Sequence, residues 1–196
     1  MTTVRGLAVA CLVAGCVGKD TRRDPADART PSSSRVATSA ADSVRQFAQS
    51  FYDWYVLLGE KAATSRYDSL LIARAGTFAP PLLAALKEDV DAQRQTPDIV
   101  SVIGDYDPFL NSQDPCNRYD AREVVPVPGG YAVSVYSMCA DGTATLAVIA
   151  DVQRSINAWA FSNFRIPGQA QYDLVSQLRA AKAERDSPRP RTRTSR

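Results

Sequence analysis

The sequence predicts an α+β fold, with N-terminal helices packed on a curved antiparallel sheet of about four strands and a C-terminal helix closing the chain. Three observations predict it. Apolar residues recur at helical spacing up to about residue 95. After Pro97 the pattern changes to short β-rich runs separated by Pro-Gly-Gly and Asp-Gly turns. A last apolar stripe at helical spacing follows near the C-terminus. Helices, then a meander, then a helix is the order of an α+β domain, not of a βαβ repeat.

The first helix is predicted to start at Ser39, with Asp42 in its first turn. Val44, Phe47, Ala48, Phe51, Tyr55 and Leu58 form its apolar stripe, and Gly59 is a natural stop. Within it, Phe51 to Tyr55 reads FYDWY. Trp54 can widen the buried side, while Tyr52 and Asp53 are expected off it. A short second helix is predicted from Tyr67 to Ala75. Pro80-Pro81 opens a third, through Leu82, Leu86 and Val90 to about Gln95, with proline in the first turn.

Ile99 to Ile103 is a short β-branched run. Four strands are then expected: Arg122–Val127, Tyr131–Cys139, Thr143–Val152 and Ala158–Ile166. Pro128-Gly129-Gly130 and Asp141-Gly142 are hairpin signals between them. Tyr131, Val133 and Val135 alternate cleanly. The third strand is apolar on both faces, which predicts a central strand covered on both sides. A final helix is expected from Ala170 to Glu184, carrying Leu174, Val175 and Leu178. Helices covering one face of a strongly curved sheet would give a cone with one open mouth.

The ends of the chain read differently from the middle. Residues 41–181 carry eleven basic and sixteen acidic groups, against six basic and two acidic in residues 182–196. An acidic body of this kind lacks the basic face that nucleic-acid binding needs. The 196 residues contain no His, which excludes a Ser-His triad, a Cys-His pair and any His-ligated metal. No catalytic set, metal or cofactor is predicted.

The start, MTTVRGLAVACLVAGC, has one Arg, a short apolar run and small residues before Cys16. It resembles the bacterial lipobox that ends a signal peptide. The resemblance implies diacylglyceryl transfer to the Cys16 thiol, cleavage before it and acylation of the new amino terminus. Stable membrane anchoring through palmitate-type chains follows, since each buried methylene contributes about 0.8 kcal/mol. Val17, where enteric-type sorting places Asp for inner-membrane retention, favours the outer membrane, with the domain facing the periplasm. Residues 1–15 would then be the signal peptide and 16–38 a disordered tether, rich in Ser, Pro and charge. The single domain is expected over 39–184, with a disordered basic tail over 185–196.

Cys11 leaves with the signal, so two cysteines remain. An even pair in an exported chain suggests a Cys116–Cys139 disulfide. A tight turn at 128–130 places Cys139 opposite residues 118–120, a few positions from Cys116.

Residues 105–116, DYDPFLNSQDPC, crowd Asp105, Asp107, Asn111, Gln113 and Asp114 together. Three readings apply: turn capping by Asp and Asn side chains, a ligand or partner surface, or a hard cation such as calcium. The Gly and terminal Glu of an EF-hand loop are missing.

FYDWY, DYDPFLNSQD and WAFSNF (Trp159 to Phe164) together resemble a bacterial family, domain of unknown function 3828, over about residues 40–180. Many of its members are small lipoproteins. The family is similar to the nuclear transport factor 2-like cone folds, which implies a fold and an envelope location but no agreed activity. Related cones place function in the mouth, which makes Tyr52, Tyr55, Asp105, Trp159 and Asn163 candidates. Arg118, Arg122 and Arg165 are expected in solvent. The reading favoured is a non-catalytic binding module for an envelope protein or glycan. The alternatives are a small-ligand pocket protein or enzyme using Asp105 as base, and a periplasmic immunity or inhibitor protein.

Overall fold

The computed structural model describes residues 33–58, 63–96, 99, 101–103, 106–156, 158–169 and 172–187. Cys16, Asp105, the predicted signal peptide, most of the predicted tether and most of the basic tail lie outside these. The architecture is α+β: helices α1 (Ser33–Val56), α2 (Ala63–Ala73) and α3 (Pro80–Gln95), strands β1 (Arg118–Val127), β2 (Gly130–Met138), β3 (Ala144–Arg154) and β4 (Trp159–Arg165), and helix α4 (Leu174–Asp186). The sheet is an antiparallel meander in the order β1-β2-β3-β4. Among the described residues no helix is long and apolar enough to cross a membrane.

Helix α1 starts six residues before Ser39 and takes in the end of the predicted tether. Val36, Ala37, Ala40 and Ala41 carry no breaker, and alanine is the best helix former, so Ser39 is bypassed as a cap. Helix α1 lies over β1 and β2 and buries Val44, Ala48, Phe51 and Tyr55, and Leu58 is buried in the turn that follows it. Tyr52 is also fully buried, against the expectation. A second wall accounts for it. Residues 107–112 pack beside α1, the Tyr52 ring stacks on Tyr119 at 6.0 Å, and its hydroxyl donates to the Phe109 carbonyl at 3.2 Å.

The β-branched run Ile99 to Ile103 joins no strand, its described residues being bends and coil. Their backbone is held by an acidic side chain, as described below, so it needs no sheet partner.

Three irregularities bend the sheet. An extra residue enters β1 between Ala121 and Val124, β3 shifts at Ala147, and β4 shifts at Ser162. Each bulge places on one face two side chains that strict alternation would separate. Ala147 and Val148 both point inward, and so do Phe161 and Phe164, whose rings sit 5.0 Å apart. This corrects the reading of β3. It is central, but its apolar residues do not mark two covered faces. Leu146 and Ile149 on the far face are only half-buried.

The turn between β1 and β2 is two residues long, Pro128-Gly129, with Val127 opposite Gly130. Proline in the first central position and φ of 83° at Gly129 suit a type II turn. The bulge in β1 slides the register by one, so that Arg118 pairs with Met138 rather than with Cys139 as the sequence predicts. That slide brings Cys116 to Cys139. The two are disulfide-bonded with Cα atoms 4.8 Å apart. The crosslink closes 23 residues of separation and is expected to stabilise the domain by about 3 kcal/mol through the unfolded state. Cys116→Ser/Cys139→Ser chains should therefore unfold at lower urea than wild type, and reductant should lower the wild-type midpoint but not that of the double variant.

Strand β1 is an edge strand, and α1 covers its exposed backbone with side chains. Gln49 accepts from the Ala121 N–H at 2.7 Å and donates to the Tyr119 carbonyl at 2.9 Å. One amide thus replaces a neighbouring strand across two residues, which removes a template for edge pairing. Arg45 Nε adds a bond to the Arg122 carbonyl at 3.1 Å. Gln49→Ala should cost about 1–3 kcal/mol by leaving both backbone groups unpaired, whereas Gln49→Glu keeps an acceptor for the Ala121 N–H and loses the bonds that Nε2 donates to the Tyr119 carbonyl and to Asp53. Equilibrium urea unfolding of the two variants distinguishes these losses.

Helix α4 begins at Leu174, later than expected, because Asp173 is its cap. The Asp173 carboxylate accepts from the Ser176 N–H at 2.9 Å. Partial burial pushes the Asp173 carboxyl up, but the Ser176 and Asn163 donors outweigh it and hold the group below the usual carboxylate range. This cap stabilises α4 above pH 4 or so and is lost as pH falls through the depressed value.

Candidate functional site

The segment singled out in the sequence folds as a corner. Asp107 and Ser112 form an isolated antiparallel bridge, and Asn111 makes the reversal with φ of 52°. Asp107 is buried, and its carboxylate binds four donors. Oδ1 accepts from the backbone N–H groups of Phe109 at 2.9 Å and Leu110 at 3.1 Å. Oδ2 accepts from the Tyr55 hydroxyl at 2.8 Å and the Arg66 guanidinium at 3.0 Å. One side chain therefore joins the corner to α1 and α2. Burial holds the Asp107 carboxyl above its ordinary range even though the Tyr55, Phe109 and Arg66 donors pull it down. Burial, with the nearby Asp107 charge, also pushes the Tyr55 and Tyr52 hydroxyls up. Both stay protonated and act as donors.

The other candidates of this segment separate. Asn111 donates from Nδ2 to the Ala147 carbonyl at 3.0 Å and so ties the corner to the β3 bulge. Gln113 and Asp114 point into solvent. Among the described residues no three carboxylate, His or Cys side chains converge.

Behind the corner the space between helices and sheet is filled with rings. Phe51 contacts Tyr55 at 5.3 Å, Phe161 at 4.9 Å, Phe78 at 6.0 Å and Phe109 at 6.2 Å. Tyr52 and Tyr55 have no exposed surface. A ligand would have to displace this packing to meet them. Asn163 is engaged too. It donates to Asp173 at 2.9 Å and accepts from the N–H groups of Phe164 and Val175, which fixes α4 on β4.

Of the arginines expected in solvent, Arg165 grips Asp151 through two bonds of 2.9 and 2.7 Å. Arg118 likewise holds Asp120 at 2.8 and 3.0 Å, and Arg122 lies 4.6 Å over the Tyr136 ring.

Trp159 behaves differently from the buried rings. It stands at the rim, half-exposed, opposite Arg154 in the β3–β4 hairpin. Its indole N–H donates to Ser43 of α1 at 2.9 Å. The Arg154 guanidinium lies 4.7 Å from the ring centre, and Tyr131 meets the indole edge to face at 5.6 Å. These groups line a cleft of about 630 Å³ between the first turns of α1 and the β1–β2 turn, with Pro126 and Gly130 as further walls. A second cleft of about 450 Å³, on the other side of the same turn, holds the Asp151–Arg165 pair and Gln153.

One cluster had no place in the sequence reading. Asp89 on α3 is fully buried and faces Arg185 of α4 at 2.6 Å, while Arg185 also reaches Glu88 at 3.0 Å. The second Asp89 oxygen accepts from Ser101 Oγ at 2.8 Å and from the N–H groups of Val102 at 2.9 Å and Ile103 at 3.1 Å. It organises the end of the β-branched run, residues 101–103. The signal was available: Asp89 occupies a stripe position, i+3 from Leu86 and i+7 from Leu82. Arg185 sat in the predicted tail, and the structure moves it into the domain as a nearly buried residue.

Geometry thus defines an α+β domain with a ring-filled interior, two carboxylates that organise loops, and an aromatic, cationic cleft at one rim. No protein-family model, curated protein or solved structure matches the chain.

Proposed function

We propose that the protein is a membrane-anchored lipoprotein of the bacterial envelope, held through acyl chains on Cys16 and facing the periplasm. Its domain acts as a non-catalytic binding module for an envelope component. The observation that carries this reading is the Cys116–Cys139 disulfide in a chain whose start reads as a lipobox. Disulfides persist in oxidising compartments such as the periplasm, and an exported chain is what the lipobox reading requires. The resemblance to the domain of unknown function 3828 family supports the same location. The non-catalytic part of the proposal draws on the engagement of Asp107, Tyr52, Tyr55 and Asn163 in bonds that hold the fold, which leaves the rim as the surface for a partner.

Membrane fractionation tests the anchor. The wild-type chain should remain in the membrane pellet after a carbonate wash, and the Cys16→Ser chain should move to the soluble or unprocessed fraction. Equal partition of the two chains would overturn the proposal.

A further inference from the structure

We propose that the rim cleft formed by Ser43, Tyr131, Arg154 and Trp159 is a binding site for a carboxylate-bearing saccharide. The inference rests on the envelope-binding reading above and names the ligand class. The cleft, at about 630 Å³, falls within the roughly 300–1,000 Å³ of ligand sites. Its chemistry is mixed. Two aromatic side chains stand at right angles, with an interplanar angle of 88°, and offer flat apolar surface next to polar edges. The Trp159 ring is fixed in place by its bond to Ser43, so its orientation is set before a ligand arrives.

Arg154 supplies the charge. Its neighbours among the arginines are spent: Arg165 on Asp151, and Arg45 on Asp42 and the Arg122 carbonyl. Arg154 stacks on Trp159 and has no ion pair among the described residues. A guanidinium held by its face keeps its N–H edge for an acceptor, and a carboxylate matches that edge with two parallel bonds. A ring-shaped ligand with C–H faces and one acid group therefore satisfies both the aromatic walls and the cation.

The same cleft suits an anionic membrane surface less well. Attraction to such a surface adds up over several cations at about 1 kcal/mol each, and this cleft presents one. A wholly apolar ligand would leave Arg154 without an acceptor. The cleft lies beside Ala40 and Ser43, in the first three turns of α1.

The test uses the full-length chain in detergent, carrying Trp54→Phe so that Trp159 is the one emitting indole. Trigalacturonate, which bears one carboxylate per sugar, is titrated against the neutral galactose trisaccharide and against vesicles of phosphatidylglycerol and phosphatidylethanolamine. Trp159 emission should change saturably with trigalacturonate and much less with the neutral sugar. Arg154→Gln should weaken that binding about tenfold or more, while Arg179→Gln, an equal charge change at an exposed position of α4, should leave it within about twofold. The proposal is overturned by no response to trigalacturonate, by equal loss in the two variants, or by a response to vesicles alone. Membrane retention of the same chain, measured in parallel, separates these results from failure of the anchor. A chain that is retained but ignores the sugar loses the site and keeps the anchor.

Discussion

Asp89→Ala is expected to destabilise the domain by about 3–5 kcal/mol, read as a large fall in the urea midpoint. The substitution removes the closer of the two carboxylates that hold the Arg185 guanidinium, which is 5% exposed and keeps Glu88 at 3.0 Å. It also removes the acceptor for Ser101 Oγ and for the Val102 and Ile103 N–H groups. Each unpaired donor adds to the cost. Arg185→Ala should come close to the same loss from the other side, since it leaves a fully buried carboxylate facing no cation. The two effects should not add, because both report one pair. A shift in either single variant under about 1 kcal/mol would show that the cluster does not hold α3, α4 and the 101–103 segment together.

Asp107→Ala is the second large effect, again about 3–5 kcal/mol. It leaves the Phe109 and Leu110 N–H groups, the Tyr55 hydroxyl and the Arg66 guanidinium without their common acceptor. Tyr55→Phe removes one of these four bonds and should cost about 1 kcal/mol. The pH dependence has an unusual sign. Burial holds the folded Asp107 carboxyl above its ordinary range, so the folded chain binds this proton more tightly than the unfolded chain does. The contribution of this group is therefore most favourable below the unfolded value of about 3.9 and declines as pH rises through the folded one. Wild-type stability minus that of Asp107→Ala should slope downward with rising pH over that window, and an upward slope would contradict the burial that the structure assigns to the group.

Helical stripes and hairpin turns were legible in the sequence because local spacing alone decides them. Val44 through Leu58 and the Pro128-Gly129 and Asp141-Gly142 turns needed no tertiary information. The bulges were not legible. Ala147-Val148 and Phe161 to Phe164 break a period of two, and a single sequence does not distinguish a bulge from a strand buried on both faces. Tyr52 was misplaced for a related reason. The wall that buries it comes from residues 107–112, more than fifty positions away, and no helical stripe contains that fact.

The candidate site divides along the same line. For DYDPFLNSQDPC the sequence left turn capping, a ligand or partner surface and a cation open; Asp107 and Asn111 organise a corner, and spacing could not say which carboxylate turns inward. Trp159 and Asn163 were both singled out from one strand, and their neighbours set them apart. Asn163 lies against the α4 cap and spends its amide there. Trp159 lies at the rim with Arg154, a pairing fixed by the β3–β4 register rather than by either residue's own character. Asp89 was visible as a charge on an apolar stripe, but its partner lay 96 positions away in what read as a tail.

Mass spectrometry of the mature amino-terminal peptide, after growth with labelled palmitate, tests the envelope assignment most directly. The account predicts a chain that starts at Cys16, with a thioether-linked diacylglyceryl group, label in the acyl chains, and Cys116 joined to Cys139 in the same molecule. A product with an unmodified Cys16, or one recovered from the cytosol with both remaining thiols free, would contradict it.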